Sequence, residues 1–116
     1  MSPEVCFPRN EQNPRWDDRQ LQNWLRRELR FDAEVGPLRV ICRIPRGDFV
    51  RAFGPISDLD VFKVFERYRP GIEAAAREII LQGVYESDIE WAEADTVSIF
   101  LTGADIQRAI AAAASV

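Results

Sequence analysis

Residues 28–44 read Glu28-Leu29-Arg30-Phe31-Asp32-Ala33-Glu34-Val35-Gly36-Pro37-Leu38-Arg39-Val40-Ile41-Cys42-Arg43-Ile44. Leu29 and Phe31 alternate with Arg30 and Asp32. Leu38, Val40, Cys42 and Ile44 alternate with Arg39, Ile41 and Arg43. A period of two places one set of side chains on a core face and the other on the opposite face, so the stretch predicts two half-buried strands. Glu34-Val35-Gly36-Pro37 is read as a four-residue hairpin loop. With Ala33 facing Leu38, Phe31 opposes Val40 and Leu29 opposes Cys42. On the other face Asp32 opposes Arg39 and Glu28 opposes Arg43. Each of these opposite-charge pairs favours the register by about 0.2–1 kcal/mol.

Outward from the hairpin the period changes. On the N-terminal side Val5-Cys6-Phe7 predicts a short strand or extended arm within residues 1–13. Asn13-Pro14 predicts a helix start, with Leu21, Trp24 and Leu25 on one face. On the C-terminal side residues 46–82 are helical in pattern. Phe49, Val50 and Phe53 form a short helix that stops at Gly54-Pro55. Ser57 is read as the cap of the next helix, with Leu59, Phe62, Phe65 and Tyr68 on its buried face. Pro70 then either bends or breaks the run, and Ile72, Ala75, Ala76, Ile79 and Ile80 continue it to Gly83.

Residues 84–101 return to alternation, with Tyr85, Ile89 and Trp91 inward in one strand and Val97, Ile99 and Leu101 in the next. A turn near Glu93-Ala94-Asp95 makes them a second hairpin. Thr102-Gly103-Ala104-Asp105 reads as a capping box with Asp in place of Glu or Gln, opening a final helix over 102–113. The expected architecture is a single α+β domain, a small antiparallel sheet of two hairpins packed against three to five helices.

This arrangement of segments resembles the small bacterial domain-of-unknown-function family numbered 1488. The matching stretches are Phe7-Pro8, Trp16-Asp17, Leu29-Arg30-Phe31, Val40 to Ile44, Phe49 to Gly54, the helix with Phe62, Arg69 and Ile72-Glu73, and Ile99 to Ile106. The family carries no established activity. The resemblance therefore implies a compact α+β fold and supplies no catalytic residue.

Composition narrows the chemistry. The 116 residues contain no histidine, which removes Ser-His and Cys-His nucleophile pairs and His-based metal sites. Fourteen arginines stand against one lysine, Lys63, and the net charge is −4. There is no apolar run long enough to cross a bilayer and no signal-peptide pattern at the N-terminus, so a cytoplasmic location with no membrane association is expected. Cys6 and Cys42 are expected as thiols in that compartment. The six glycines form no phosphate-binding loop. No catalytic, cofactor-binding or metal-binding residue is assigned, and no cofactor is expected.

Two charged clusters remain. Between residues 84 and 105 lie six carboxylates and no basic residue. Glu86, Asp88 and Glu90 there suit either a hard-cation or acid–base site or the solvated face of a hairpin, and their alternation with apolar residues favours the latter. Residues 9–51 hold ten arginines with Trp16, Trp24 and Phe31 among them, a mixture that single-stranded nucleic-acid binders use. Nine acidic groups within residues 1–58 nearly cancel the ten basic ones, which argues against a phosphate-tracking face. Residues 59–116 carry five basic and ten acidic groups. The preferred functional expectation is a non-enzymatic binding or interaction module, acting through a protein partner or its own copies, with Arg26, Arg27, Arg30, Glu86, Asp88 and Glu90 as its candidate surface. Tryptophans 16 and 24 are read as core rather than pocket. The alternatives are a small histidine-independent enzyme with a carboxylate or metal site, and weak nucleic-acid binding through Arg26, Arg27 and Arg30.

Overall fold

The structure, a computed structural model, describes residues 4–8, 16–83 and 96–114. The chain order is β1 (Val5–Cys6), α1 (Asp18–Leu25), β2 (Glu28–Val35), β3 (Leu38–Pro45), α2 (Arg46–Phe53), α3 (Val61–Gln82), β4 (Thr96–Phe100) and α4 (Gly103–Ala114). These elements form one α+β domain with a four-stranded sheet in the order β1-β2-β3-β4.

The hairpin β2–β3 forms with the expected faces but a tighter turn. Val35 pairs with Leu38, so the loop is Gly36-Pro37 alone rather than Glu34 to Pro37. Gly36 takes φ 58°, the left-handed value that two-residue hairpin turns favour at their first central position. Ala33 therefore pairs with Val40 and Phe31 with Cys42, a register two residues away from the expected one. A slip of two keeps every side chain on its face. The ion pairs survive it as diagonal contacts: Arg43 reaches Glu28 at 2.6 Å and Arg39 reaches Asp32 at 3.1 Å.

The expectation of a purely antiparallel sheet of two hairpins is corrected. β4 runs parallel to β3, with Val40 beside Val97 and Cys42 beside Ile99. A parallel neighbour needs a long crossover, usually helical, and α2 and α3 supply it. The first strand expected for the second hairpin, together with Trp91, lies outside the described residues, as does the expected helix start at Asn13-Pro14. Within the described residues α1 is capped by Asp17, whose Oδ1 accepts from the Gln20 backbone N–H at 3.0 Å.

The core lies between one sheet face and the helices. Leu29, Phe31, Ala33, Val40, Cys42, Ile44 and Ile99 meet Trp24, Phe49, Val61, Phe65, Ile72, Ala75, Ala76, Ile80 and Ile106. The Phe31 and Phe65 rings meet edge-on at 5.4 Å, as do Trp24 and Phe49. Each such fully buried ring contributes about 1.5–3 kcal/mol. α3 is one helix through Pro70, ending at Gly83 with φ 73°. It runs close beside α4, since a Cβ on Gly71 would lie 2.8 Å from Ile110 Cγ1.

Two apolar assignments change. Leu25 is 54% exposed and the buried neighbour of Trp24 on α1 is Gln20. The Gln20 side-chain amide donates to the Arg30 carbonyl at 2.7 Å and accepts from the Arg30 N–H, so it occupies the edge of β2 as a neighbouring strand would. Leu59 is 84% exposed because α3 begins only at Val61. Ser57 caps the turn ahead of the helix instead, its Oγ accepting from the Leu59 N–H at 3.2 Å.

The capping box forms at α4. The Asp105 N–H donates to Thr102 Oγ1 at 3.1 Å, and the Thr102 N–H donates to Asp105 Oδ2 at 3.2 Å. Partial burial would raise the Asp105 carboxyl, yet the Thr102 hydrogen bonds and Arg108 hold it below its ordinary range.

Candidate functional site

Three charged regions stand out, and they differ in whether the charges are matched within the chain. The first is the sheet face away from the helices. Glu28 accepts from Arg43 Nε at 2.8 Å and Nη2 at 2.6 Å, a bidentate clamp, and from Arg30 Nε on the same strand. The Arg43 guanidinium also lies over the Phe100 ring at 4.6 Å. Partial burial pushes the Glu28 carboxyl up, but the hydrogen bonds from Arg43 and Arg30 outweigh it and the carboxyl sits below its ordinary range. A carboxylate held this way is a poor proton acceptor, and the two guanidiniums that hold it are occupied.

The second region is the corner where α1, α2 and the turn before α3 meet. Trp24 Nε1 donates to Asp58 Oδ1 at 2.8 Å, and Arg46 donates to the same oxygen at 3.4 Å while lying over the Trp24 ring at 5.3 Å. The Arg46 N–H donates to the Arg27 carbonyl at 2.7 Å. Arg27 takes φ 102°, the one non-glycine positive φ among the described residues. This backbone is fixed from several sides, yet Leu25, Arg26, Arg27 and Leu59 around it are exposed.

The third region is an open groove of about 370 Å³ beside the start of α3, lined by Pro55, Ile56, Ser57, Asp60, Lys63, Val64 and Arg67. Lys63 and Arg67 are one helical turn apart and both exposed. Among the described residues neither makes an ion pair, although Asp60 lines the same groove and the Arg67 guanidinium lies over the Tyr68 ring at 5.4 Å, whereas Arg69 on the same helix binds Glu66 and Arg108 binds Asp105. Like charges at this spacing repel by about 0.2–0.5 kcal/mol. Asp60, the N-cap of α3, makes no side-chain capping bond.

The other groups have structural roles. Trp16 stacks on Phe62 at 4.5 Å and donates to Glu66 Oε1 at 2.9 Å, and Trp24 is fully buried. Burial, with Asp32 and Glu73 nearby, pushes the Cys42 thiol well above its ordinary value. Cys6 is exposed, and both cysteines are free thiols. Among the described residues no cluster of three or more Cys, Asp or Glu is placed to hold a metal ion, and no helix is long and apolar enough to cross a membrane.

The candidate surface read from the sequence therefore divides. Arg26 and Arg27 lie together and exposed at the α1–β2 corner, while Arg30 is engaged by Glu28 on the far sheet face. Glu86, Asp88 and Glu90 lie outside the described residues. Lys63, Arg67 and Leu59 were not anticipated as a surface. Their signal was faint: the only lysine in the chain, and an arginine one turn on with no carboxylate one turn further, at Gly71.

No protein-family model matches the chain, and comparison with curated proteins and with solved structures likewise finds no match. Local geometry alone carries the functional reading.

Proposed function

We propose that this protein is a non-enzymatic interaction module that binds a protein partner, its own copies included, through the basic and apolar corner formed by Leu25, Arg26, Arg27 and Leu59. The observation that carries the reading is Leu59, 84% exposed, its N–H held by Ser57 Oγ and its neighbour Asp58 held by Trp24 and Arg46. An exposed leucine on a frayed segment loses chain entropy when it binds. One held rigid loses little, so its burial at an interface is available for affinity. Leu25 follows Trp24 in the chain just as Leu59 follows Asp58, so two exposed leucines flank one part-buried hydrogen bond. Arg26 and Arg27 supply cations beside them, which favours an acidic partner surface. The resemblance to the family numbered 1488 adds no activity to this reading.

Size-exclusion chromatography with light scattering, alone and with candidate partners recovered on the tagged protein, tests it. The wild type is expected to associate, and the double change Leu25→Ser with Leu59→Ser is expected to abolish association while leaving the unfolding transition in place. A monomer that retains no partner, or a double variant that associates as well as the wild type, overturns the reading.

A further inference from the structure

Resting on that reading, we infer that the outward face of α1 is a two-fold interface, and that its occupant is α1 of a second copy of this chain, laid antiparallel across it. Gln20 and Trp24 mark the buried side of α1. Successive residues of a helix turn by about 100°, so the side opposite them is centred on Gln22. Asp18 lies one turn before Gln22 and Arg26 one turn after it, and all three are exposed. Arg26 closes the helix and keeps its register, its N–H donating to the Gln22 carbonyl at 2.9 Å. The outward row therefore runs from an anion through a neutral amide to a cation. Asp18 and Arg26 are about 12 Å apart along the axis, too far to meet within one chain. Among the described residues neither makes an ion pair.

A row that changes sign about a neutral centre is self-complementary. A two-fold contact sets each residue of a patch against another residue of the same patch. With the axis at Gln22, Asp18 of each copy meets the partner's Arg26, and the two Gln22 amides, each both donor and acceptor, meet in the middle. Residues four apart form a ridge inclined to the helix axis by about 26°, and two such ridges laid side by side give a crossing of about 50°, the commonest class in globular proteins. Leu25, 54% exposed, stands about 60° to one side of Gln22. There it meets its own counterpart and supplies the apolar part of the contact. Arg19 stands on the other side, and its like-charge contact lies at the rim, where salt screens it. An acidic partner of another kind leaves Asp18 facing like charge, which selects the second copy. The contact is one short helix from each chain, so the dimer is weak and sensitive to salt.

The experiment is sedimentation equilibrium on the full chain over a range of concentrations at low salt. The wild type is compared with Asp18→Arg, with Arg26→Asp, and with an equimolar mixture of the two variants. The wild type is expected to dimerise. Each variant alone is expected to dimerise about tenfold or more weakly, since both of its ion pairs become like-charge contacts. The mixture is expected to restore a dimer, because one chain of each kind pairs opposite charges at both contacts. Circular dichroism checks that each variant is folded, and the mixture supplies a gain of binding that misfolding does not mimic. A wild type that stays monomeric overturns self-association and this inference with it. A wild-type dimer that both variants leave intact, but that Leu25→Ser with Leu59→Ser abolishes, overturns the α1 pairing and leaves the reading of the corner standing. Two weakened variants whose mixture binds no better than either overturn the pairing of Asp18 with Arg26.

Discussion

The far face of the sheet and the groove beside α3 both carry arginine, and they use it in opposite ways. On the sheet, Arg43 and Arg30 converge on Glu28, and Arg39 reaches Asp32. On α3, Lys63 and Arg67 stand one turn apart in a groove with Pro55, Ile56, Asp60 and Val64, and among the described residues neither makes an ion pair. Charges matched within the chain are part of what holds the sheet in register. Charges left unmatched next to exposed apolar surface are free to meet another molecule. The difference shows that arginine content alone says little about function, because most described arginines are matched at home.

The largest effect that would break this contrast is on the sheet. Glu28→Gln leaves two guanidiniums facing a neutral amide, and a cost of about 1.5–3 kcal/mol is expected from the lost charge-assisted bonds. Urea unfolding at pH 7 measures it, and a change below 0.5 kcal/mol would remove the structural role assigned to the clamp. The same pair gives a pH signature. Glu28 is held below its ordinary range, so its contribution is present above the unfolded carboxyl value and is lost as pH falls through the folded one. The stability difference between wild type and Glu28→Gln should therefore shrink as the pH is lowered toward 3. A difference that stays constant, or grows, would contradict the sign.

A smaller effect is expected at the corner between the two regions. Arg27 holds φ 102°, where glycine carries no Cβ penalty. Arg27→Gly should raise stability by about 0.5–1 kcal/mol once the greater freedom of glycine in the unfolded chain is offset. Thermal unfolding reads this, and the same variant should bind an acidic partner less well, since a cation of the surface is gone. Loss of stability would mean that the Arg27 side chain contributes to the fold.

The smallest expected effect is in the groove. Lys63→Ala with Arg67→Ala should change stability by no more than about 0.5 kcal/mol, with any gain coming from relief of their repulsion. A large destabilisation in urea would place these residues in the structure of the domain and erase the contrast with the sheet. In the thiols the same distinction between engaged and free groups can be read chemically. Cys6 should react with a thiol reagent in the native protein, and Cys42 only on unfolding, because burial raises its thiol well above the ordinary value.

Much of the sheet was legible because period-two alternation reports faces directly. Register was legible only to within two residues, since a slip from Ala33–Leu38 to Val35–Leu38 moves no side chain across the sheet. Turn chemistry decided it: Gly36 accepts the positive φ that lets Gly36-Pro37 close the hairpin alone. The alternation suggests an antiparallel sheet, but β4 runs parallel to β3, and a helical stretch from 46 to 82 between two strands is what a parallel crossover requires. Leu59 was misread for a related reason. It fits the helical spacing of Phe62 and Phe65, but the Ser57 turn delays the helix to Val61 and leaves Leu59 outside. Gln20 illustrates the reverse case, a polar side chain buried because it serves a strand edge. The clamp on Glu28 was visible in sequence as cross-strand charge pairing. The groove was not, because it depends on where α3 begins and on what Lys63 and Arg67 fail to meet.

The central claim is that this domain binds protein through its unmatched basic and apolar surface. Sedimentation velocity of the wild-type chain, at fixed concentration and rising salt, tests it most directly. The account predicts an associated species at low ionic strength that shifts toward monomer as salt screens the exposed charges. A monomer at every ionic strength would contradict it.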